Sequence, residues 1–205
     1  GLGIAAIIFV VAKPRLSSSP TKPYEEQKTQ PKVIDGSTGK PAETDKPIKS
    51  SVDLAVPFTA QAPTANWDEL HNEACEEASV IMANEFLTGN TSATLAAASV
   101  EKEITKLTDW QKKNQGYYLD QTNAEVAKMA KSVYGLQTQV IDKFTEKDLK
   151  QALSDGKLVV ISFNGRLLGN PNYKPPGPIH HMMVITGYDD KGFISIDPGT
   201  RNGAK

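Results

Sequence analysis

The chain has 205 residues, of which 39% are hydrophobic, 7% aromatic and 23% charged. Its formal net charge is −1, and this balance argues against a dedicated nucleic-acid-binding protein, which is usually basic. The single cysteine excludes an intrachain disulfide framework and a zinc site built from several cysteines. The three histidines leave little material for a histidine-rich metal centre.

Residues 1–12, GLGIAAIIFVVA, form an unbroken run of apolar and small side chains. As a helix this run spans about 18 Å, whereas the hydrocarbon core of a bilayer is about 30 Å thick and takes roughly 20 residues to cross. For a membrane anchor, the run would therefore have to be the last part of a longer apolar segment. We interpret the run as an N-terminal membrane anchor or the core of a signal peptide. The alternative is a buried strand or helix of the domain that follows.

Residues 13–50 contain six prolines, many polar side chains and one aromatic residue, Tyr24. Such a segment cannot bury enough apolar surface to offset the entropy lost on ordering, so we predict a disordered, extended linker. An anchor, a linker and a domain in this order predict a protein held at the extracytoplasmic side of a membrane. If the segment is a signal peptide, the protein is secreted.

A globular domain is predicted over residues 51–205, and its first half has helical patterns. Alternating apolar residues at 52–58 predict a short strand before the helices. Residues 72–87 have helical spacing, with Asn72 as the predicted N-cap. A second helix is predicted over 92–113.

Two further helices have recognisable start and stop signals. Thr122 and Glu125 have the spacing of a capping box, and Gly135 suits the left-handed position that ends a helix. Thr145 is the predicted N-cap of a fourth helix, which Gly156 ends.

The remainder of the domain has strand patterns. The continuous apolar run at 158–163 is typical of a buried strand. Strands are also predicted at 182–188 and 192–196, joined by turn residues. Helices followed by antiparallel strands predict an α+β fold.

Cys75 lies in the first turn of the first predicted helix. Unpaired backbone N–H groups and the helix dipole favour a thiolate there, so Cys75 is a candidate nucleophile. The alternative is a small core residue on an apolar helix face. Because Glu76 and Glu77 oppose a thiolate electrostatically, a cationic partner would be needed.

His180 and His181 are candidate partners because they immediately precede a predicted strand. A rigid strand could hold either ring in place at a point that solvent can reach. The alternative is a pair of surface or packed histidines. The third histidine, His71, lies just before the cysteine helix, and its nearness in sequence does not indicate pairing.

Asp197 ends the last predicted strand and could fix the tautomer of the His181 ring. The alternative is an ordinary turn residue before Pro-Gly. A two-residue turn at 190–191 pairs Asp197 with Val184, which puts it on the opposite face from His181. A one-residue β-bulge, or a position just past the regular ladder, would remove this conflict.

Gln61 is a fourth candidate, in a loop that precedes the cysteine by 14 residues. Its amide could hold an oxyanion beside the backbone N–H of Cys75. Taken alone, a glutamine in a loop indicates no function.

Taken together, these residues resemble the C39-like peptidase family within the papain-like cysteine peptidase fold, over about residues 56–199. The motifs that carry the resemblance are VPF at 56–58 with Gln61 and NW at 66–67, ACEEAS at 74–79, DLKQAL at 148–153 with Gly156 before LVVI at 158–161, HMMVITGYD at 181–189 and IDP at 196–198.

The resemblance implies a helical half packed on an antiparallel sheet, and a role for each candidate residue. Cys75 is then the nucleophile, His181 the general base and acid, Asp197 the residue that orients the imidazole, and Gln61 the oxyanion-hole donor. His181 is chosen over His180 because the family histidine lies six residues before the strand-ending glycine, here Gly187. The implied reaction needs no metal or organic cofactor. The implied partners are a peptide or protein substrate and, through the N-terminal segment, a membrane, but no nucleic acid.

Three hypotheses follow for the function. The first is a thiol-dependent peptidase or amide hydrolase outside the membrane. The second is a catalytically inactive papain-like module that binds a peptide or cell-wall material. The third is acyl transfer by the same triad. Family members that are fused to an export transporter cut leader peptides. In this chain a proline-rich stretch takes the place of the transporter, so the resemblance does not imply leader processing. The insert 166–178 is either a border of the substrate cleft or an ordinary surface loop.

Overall fold

The computed structural model describes residues 5–10 and 46–200 of the chain. The predicted linker therefore lies outside the described residues except for its last five positions. The described strands and helices are, in chain order, β1 (Ala5–Val10), β2 (Val52–Asp53), α1 (Glu69–Asn72), α2 (Cys75–Leu87), α3 (Ala97–Asn114), α4 (Asn123–Tyr134), β3 (Gln137–Ile141), α5 (Glu146–Ser154), β4 (Leu158–Phe163), α6 (Gly165–Leu168), β5 (His181–Tyr188) and β6 (Phe193–Ile196).

All six described strands join one antiparallel sheet. The order is β2-β5-β4-β1-β3, and β6 also pairs with β5. β1 lies between β4 and β3, so that Ile7 is opposite Val160 on one side and Val140 on the other. In residues 5–10 the apolar run is thus a sheet strand, which is the alternative to the predicted anchor. Among the described residues, no helix has the length and hydropathy required to cross a membrane.

Helices cover both faces of this sheet. On one face, α2, α3 and α4 pack with Ile7 and Val184 into one apolar core. On the other face, α5 packs with Ala6 and Ile185 into a second core. Because both faces are covered, every residue of β5 is buried, which explains the continuous apolar pattern of its sequence. His181 stands at the start of this buried strand. The α+β architecture predicted from the sequence is confirmed.

The two helices with capping signals form as predicted. Thr122 accepts a hydrogen bond from the backbone of Glu125 in a reciprocal capping box, and Gly135 ends α4 with φ of 70°. Thr145 and Asp148 form the same kind of box at the start of α5. These signals involve only residues within one turn, so they can be read without tertiary information.

The predicted cap of the cysteine helix is wrong. Asn72 ends the short helix α1, and its side-chain amide donates to the backbone carbonyls of Trp67 and Asp68. Asp68 is the residue that caps α1. The helix α2 starts only at Cys75, after Ala74, whose side chain offers no capping group. The free N–H groups of this first turn are therefore not capped by a side chain at the N-cap position.

Other elements also differ from the sequence prediction, and the strand predicted over 52–58 comprises only Val52–Asp53. The second predicted helix starts at Ala97 rather than residue 92, because Ala93 and Leu95 hydrogen-bond with the backbone of Phe58 at 3.0 and 2.8 Å. The strand β3 has no counterpart in the prediction. Its sequence, QTQVI, is largely polar, as suits a strand at the end of the sheet order.

A β-bulge between Ile185 and Gly187 sets the position of Asp197. Gly187 pairs with Ile194, but Val184 pairs with Ile196, one residue short of the register that a regular ladder gives. A one-residue shift was one of the two arrangements predicted to put Asp197 on the same face as His181. A Cβ at Gly187 would collide with the carbonyl oxygen of Val52 on β2, so glycine permits the close approach of these strands.

Candidate active site

A cavity of about 830 Å³ opens between the start of α2 and the start of β5. Four candidates from the sequence line it, namely Gln61, Cys75, His180 and His181. Cys75 is the first residue of α2, and only 5% of its surface is exposed. The N-terminal end of one helix and the leading end of one strand therefore face the same space.

Asp197 lies behind His181 and is bound from several directions. Its Oδ1 lies 2.7 Å from Nε2 of His181 and accepts the backbone N–H of Gly199 at 2.8 Å. Its Oδ2 accepts from the hydroxyl of Tyr173 at 2.5 Å and from the amide of Asn170 at 3.3 Å. Burial alone would raise the pKa of Asp197, but the hydrogen bond and charge of His181, followed by Tyr173 and Gly199, lower it below its ordinary value. The carboxyl group is therefore an anion that only accepts hydrogen bonds.

The imidazole of His181 is fixed in orientation and in tautomer. Its ring contacts the edges of Phe163 and Tyr173, with centroids 5.5 and 5.4 Å apart, and the residue is 3% exposed. Since Asp197 can only accept, the ring proton lies on Nε2. In the neutral ring, Nδ1 is then the nitrogen with a free lone pair, and it can act as a base.

The thiol of Cys75 donates to a carboxylate in this structure, with Sγ 3.0 Å from Oε2 of Glu76. Burial raises the pKa of Cys75 well above its ordinary value, and the charges of Glu76 and Glu77 raise it further. The backbone N–H of Met182, the residue after His181, acts in the opposite direction. The thiol is therefore in its neutral form.

Glu76 is a buried acid whose position the sequence did not indicate. Its Oε1 accepts the backbone N–H of Gln121 at 3.0 Å and lies 3.4 Å from Nδ1 of His180. Burial raises the pKa of Glu76 to about 7. From the sequence, Glu76 was recognisable only as a charge unfavourable to a thiolate. Two consecutive acids in the first turn of a mostly apolar helix are a signal that could have indicated a buried carboxyl group.

Gln61 lines the cavity, but its amide is already engaged. Its Nε2 donates to the backbone carbonyls of His71 and Asn72 at 2.8 and 3.0 Å. Its own backbone N–H donates to the carbonyl of Pro198 at 2.9 Å, which joins this loop to the segment that carries Asp197. To hold an oxyanion, the side chain would have to release one of the two carbonyls.

The insert 166–178 borders the cavity. It contributes to the cavity lining the residues Arg166, Tyr173, Lys174, Gly177 and Pro178. The hydroxyl of Tyr173 reaches Asp197, a contact that the sequence analysis missed because it depends on the fold of this loop. The insert therefore supplies both a wall of the cavity and a partner for the carboxylate.

His71 forms a separate cluster beneath the loop before α2. Its Nδ1 lies 2.7 Å from Oδ1 of Asp68, and its Nε2 lies 2.8 Å from Oε2 of Glu101. Burial would lower the pKa of His71, but these two partners raise it above 6.5. A doubly bound imidazole of this kind carries a proton on each nitrogen, so His71 is a cation between two anions.

We expect His71→Gln to destabilise the protein most at acidic pH. The raised pKa of His71 gives stability that is fully present below its ordinary value of 6.5 and is lost as pH rises through the raised value. The variant should lose about 2 kcal/mol of unfolding free energy at about pH 5.5, and less at about pH 9. Urea unfolding at both pH values measures this. Glu101→Gln, which removes one anion, should show the same trend. A deficit independent of pH in both variants would contradict it.

The sheet with helices on both faces, and a cysteine helix beside a strand that begins with histidine, define a papain-like α+β fold. A family model described as "Peptidase_C39 like family" matches residues 53–205. The chain therefore belongs to the C39-like peptidase family, a membership that supports a peptidase-type enzyme. Neither the curated proteins nor the solved structures include one that matches the chain.

Proposed function

We propose that this protein is a cysteine peptidase or amide hydrolase with Cys75 as its nucleophile. The observation that carries the proposal is the 2.7 Å contact between His181 and Asp197 at the wall of the cavity that Cys75 also lines. This pair leaves Nδ1 of His181 as the base. A hydrogen bond from the backbone N–H of Met182 lowers the pKa of Cys75, which supports a position of Sγ close to the start of β5. Family membership supports a peptidase reaction.

The proposed reaction starts with transfer of the thiol proton from Cys75 to Nδ1 of His181. The thiolate sulfur attacks the carbonyl carbon of an amide, and a tetrahedral oxyanion forms. The backbone N–H of Cys75 and one N–H of Gln61 bind the oxyanion, so Gln61 gives up a bond to a backbone carbonyl at this step. His181 then protonates the leaving amine. Water, with its proton taken by Nδ1, releases the acyl group from the thioester and restores the thiol.

The proposal is tested by the rate at which iodoacetamide alkylates the full chain at neutral pH with a chelator present. Cys75 is the chain's single cysteine, so whole-protein mass spectrometry reads one site. We expect His181→Ala to slow alkylation by about tenfold, because the variant removes the base that takes the thiol proton.

Ser195→Ala is the matched control, since it changes β6 outside the cavity lining and adds no atom. Its alkylation rate should equal that of the unmodified chain. Equal rates in the unmodified chain and in His181→Ala would refute the Cys–His pair.

One observation favours a second candidate, an inactive module that binds a peptide or cell-wall material. The thiol donates to Glu76, and its pKa is raised, as expected of a cysteine that never becomes a nucleophile. The alkylation experiment separates the two candidates. A binding module predicts slow alkylation that His181→Ala does not change.

The position outside a membrane stays a prediction. Residues 5–10, part of the run interpreted as an anchor, form a strand of the sheet. Fractionation of cells that express the chain tests the location. Recovery in the membrane fraction or the medium would support it, and recovery in the cytoplasm would contradict it.

A further inference from the structure

A second group of reactive side chains lies beside the His181–Asp197 pair and does not include either of them. Cys75, Glu76 and His180 each offer one atom that could ligate a metal ion, and these atoms all lie within 4.8 Å of one another. Glu76 is 1% exposed and Cys75 5%. The chain folds so that consecutive residues of α2 meet the residue just before β5.

The ring of His180 supports a ligand at this point. Its Nδ1 is buried and makes no hydrogen bond within the described part of the chain. The nearest carboxylate oxygens, from Glu76 and Asp120, are 3.4 and 3.5 Å away. Buried polar atoms in proteins are nearly always bound to something, and a nitrogen facing two carboxylates suits a cation between them.

The donor set favours zinc among the common divalent ions. One thiolate, one imidazole and one carboxylate are the ligand types of zinc, whereas magnesium and calcium prefer oxygen alone. In a tetrahedral site with these bonds, ligand atoms are roughly 3.3–3.6 Å apart, so any pair of ligand atoms as far apart as 4.8 Å would have to approach by about 1 Å. Asp120 is largely exposed and could supply the fourth ligand, or a water could.

The local charge also favours a cation. Sγ of Cys75 lies 3.0 Å from Oε2 of Glu76, and the carboxylate of Asp120 faces the ring of His180. A divalent ion would offset these anions. On binding, the S–H bond of Cys75 breaks, a S–Zn bond forms, and the proton passes to solvent.

We propose that Cys75, Glu76 and His180 bind one Zn²⁺ ion, and that the bound ion holds the protein in an inactive form. The inhibitory part rests on the proposed function. It follows because the sulfur lone pair that would attack a carbonyl is donated to the metal. His181 stays bound to Asp197, so the ion blocks the nucleophile Cys75 and leaves the His181–Asp197 hydrogen bond intact. Removal of the ion restores the thiol.

The test uses the full chain titrated with Co²⁺ and, separately, with Zn²⁺ in a calorimeter. We expect one equivalent to bind, and a thiolate-to-cobalt charge-transfer band to appear in the near ultraviolet. His180→Ala should weaken binding by about tenfold or more, and Cys75→Ser should remove the band. His181→Ala is the matched control, because it deletes the neighbouring ring and should keep the band and the affinity.

Loss of binding in His181→Ala to the same extent as in His180→Ala would overturn this ligand assignment, as would the absence of the band from the unmodified chain. Circular dichroism establishes that each variant is folded. The titration involves no substrate and no alkylation, so it can succeed if the hydrolase proposal fails, and the reverse. For the inhibitory part, Zn²⁺ should slow alkylation of Cys75 in the unmodified chain and much less in His180→Ala. Equal slowing in both would refute it.

Discussion

Asp197→Ala should lower turnover on the order of 100-fold, whereas Asp197→Asn should retain turnover within about tenfold. Oδ1 of Asp197 faces two N–H groups, from His181 and Gly199. A carbonyl oxygen of asparagine can accept both and keep the ring proton on Nε2. The asparagine amide would then face the hydroxyl of Tyr173, which can accept, and would lose only the longer bond of 3.3 Å from Asn170. Alanine removes every acceptor, and the ring loses its fixed tautomer.

The measurement is cleavage of a quenched fluorescent peptide library, followed by kcat and KM on the best-cleaved member. Thermal unfolding of both variants separates a lost role from a lost fold. Equal loss of kcat in both variants would show that the charge of Asp197 matters and that its acceptor geometry does not. Unchanged kcat in Asp197→Ala would exclude any role for this residue in positioning the imidazole.

Where the sequence predicted the fold well, the signals were local. The capping boxes at Thr122 and Thr145, and the apolar run of β4, each depend on residues close in the chain. The start of α2 failed for the opposite reason. Asn72 is a suitable capping residue, but its amide is occupied by the turn that Asp68 caps.

The two strands that the sequence did not assign owe their structure to partners far along the chain. An apolar run such as that of β1 suits a membrane helix, a core helix and a buried strand equally, and only its pairing with β3 and β4 distinguishes these. β3 carries polar side chains and so gives almost no periodic signal. Periodicity reports which face of a strand is buried, and a strand with both faces buried lacks the alternation that identifies it.

In the candidate site, too, the residues in recognisable motifs were predictable, whereas contacts between distant parts of the chain were not. The resemblance to the C39-like family nominated Cys75, His181 and Gln61, and the structure brings these three residues to one cavity. Asp197 reaches His181 with the help of a β-bulge, which was one of the two arrangements that the sequence left open. The contacts of Glu76 were not predictable, because its partner Gln121 lies 45 residues away, in the loop before α4.

Gly199→Ala should lower kcat by up to about 100-fold, because the added methyl group would displace the imidazole of His181. A Cβ at this position would lie 2.7 Å from Cε1 and 2.9 Å from Nε2 of His181, and 3.1 Å from Oδ1 of Asp197. The ring has little room to move, since Phe163 and Tyr173 contact it.

Strain of this kind costs about 1–3 kcal/mol of unfolding free energy, so the protein should remain folded while its kcat falls. Thr200→Ala is the matched control: it removes a hydroxyl that donates to the backbone of Asp197 and adds no atom near the ring. The readout is kcat and KM for both variants beside their urea unfolding. An unchanged kcat in Gly199→Ala would mean that the His181 ring tolerates displacement. The proposed reaction, which depends on a fixed orientation of this ring, would then be contradicted. A fall in kcat in Gly199→Ala but not in Thr200→Ala would show that turnover depends on the position of the His181 imidazole, because only the first variant adds an atom beside that ring.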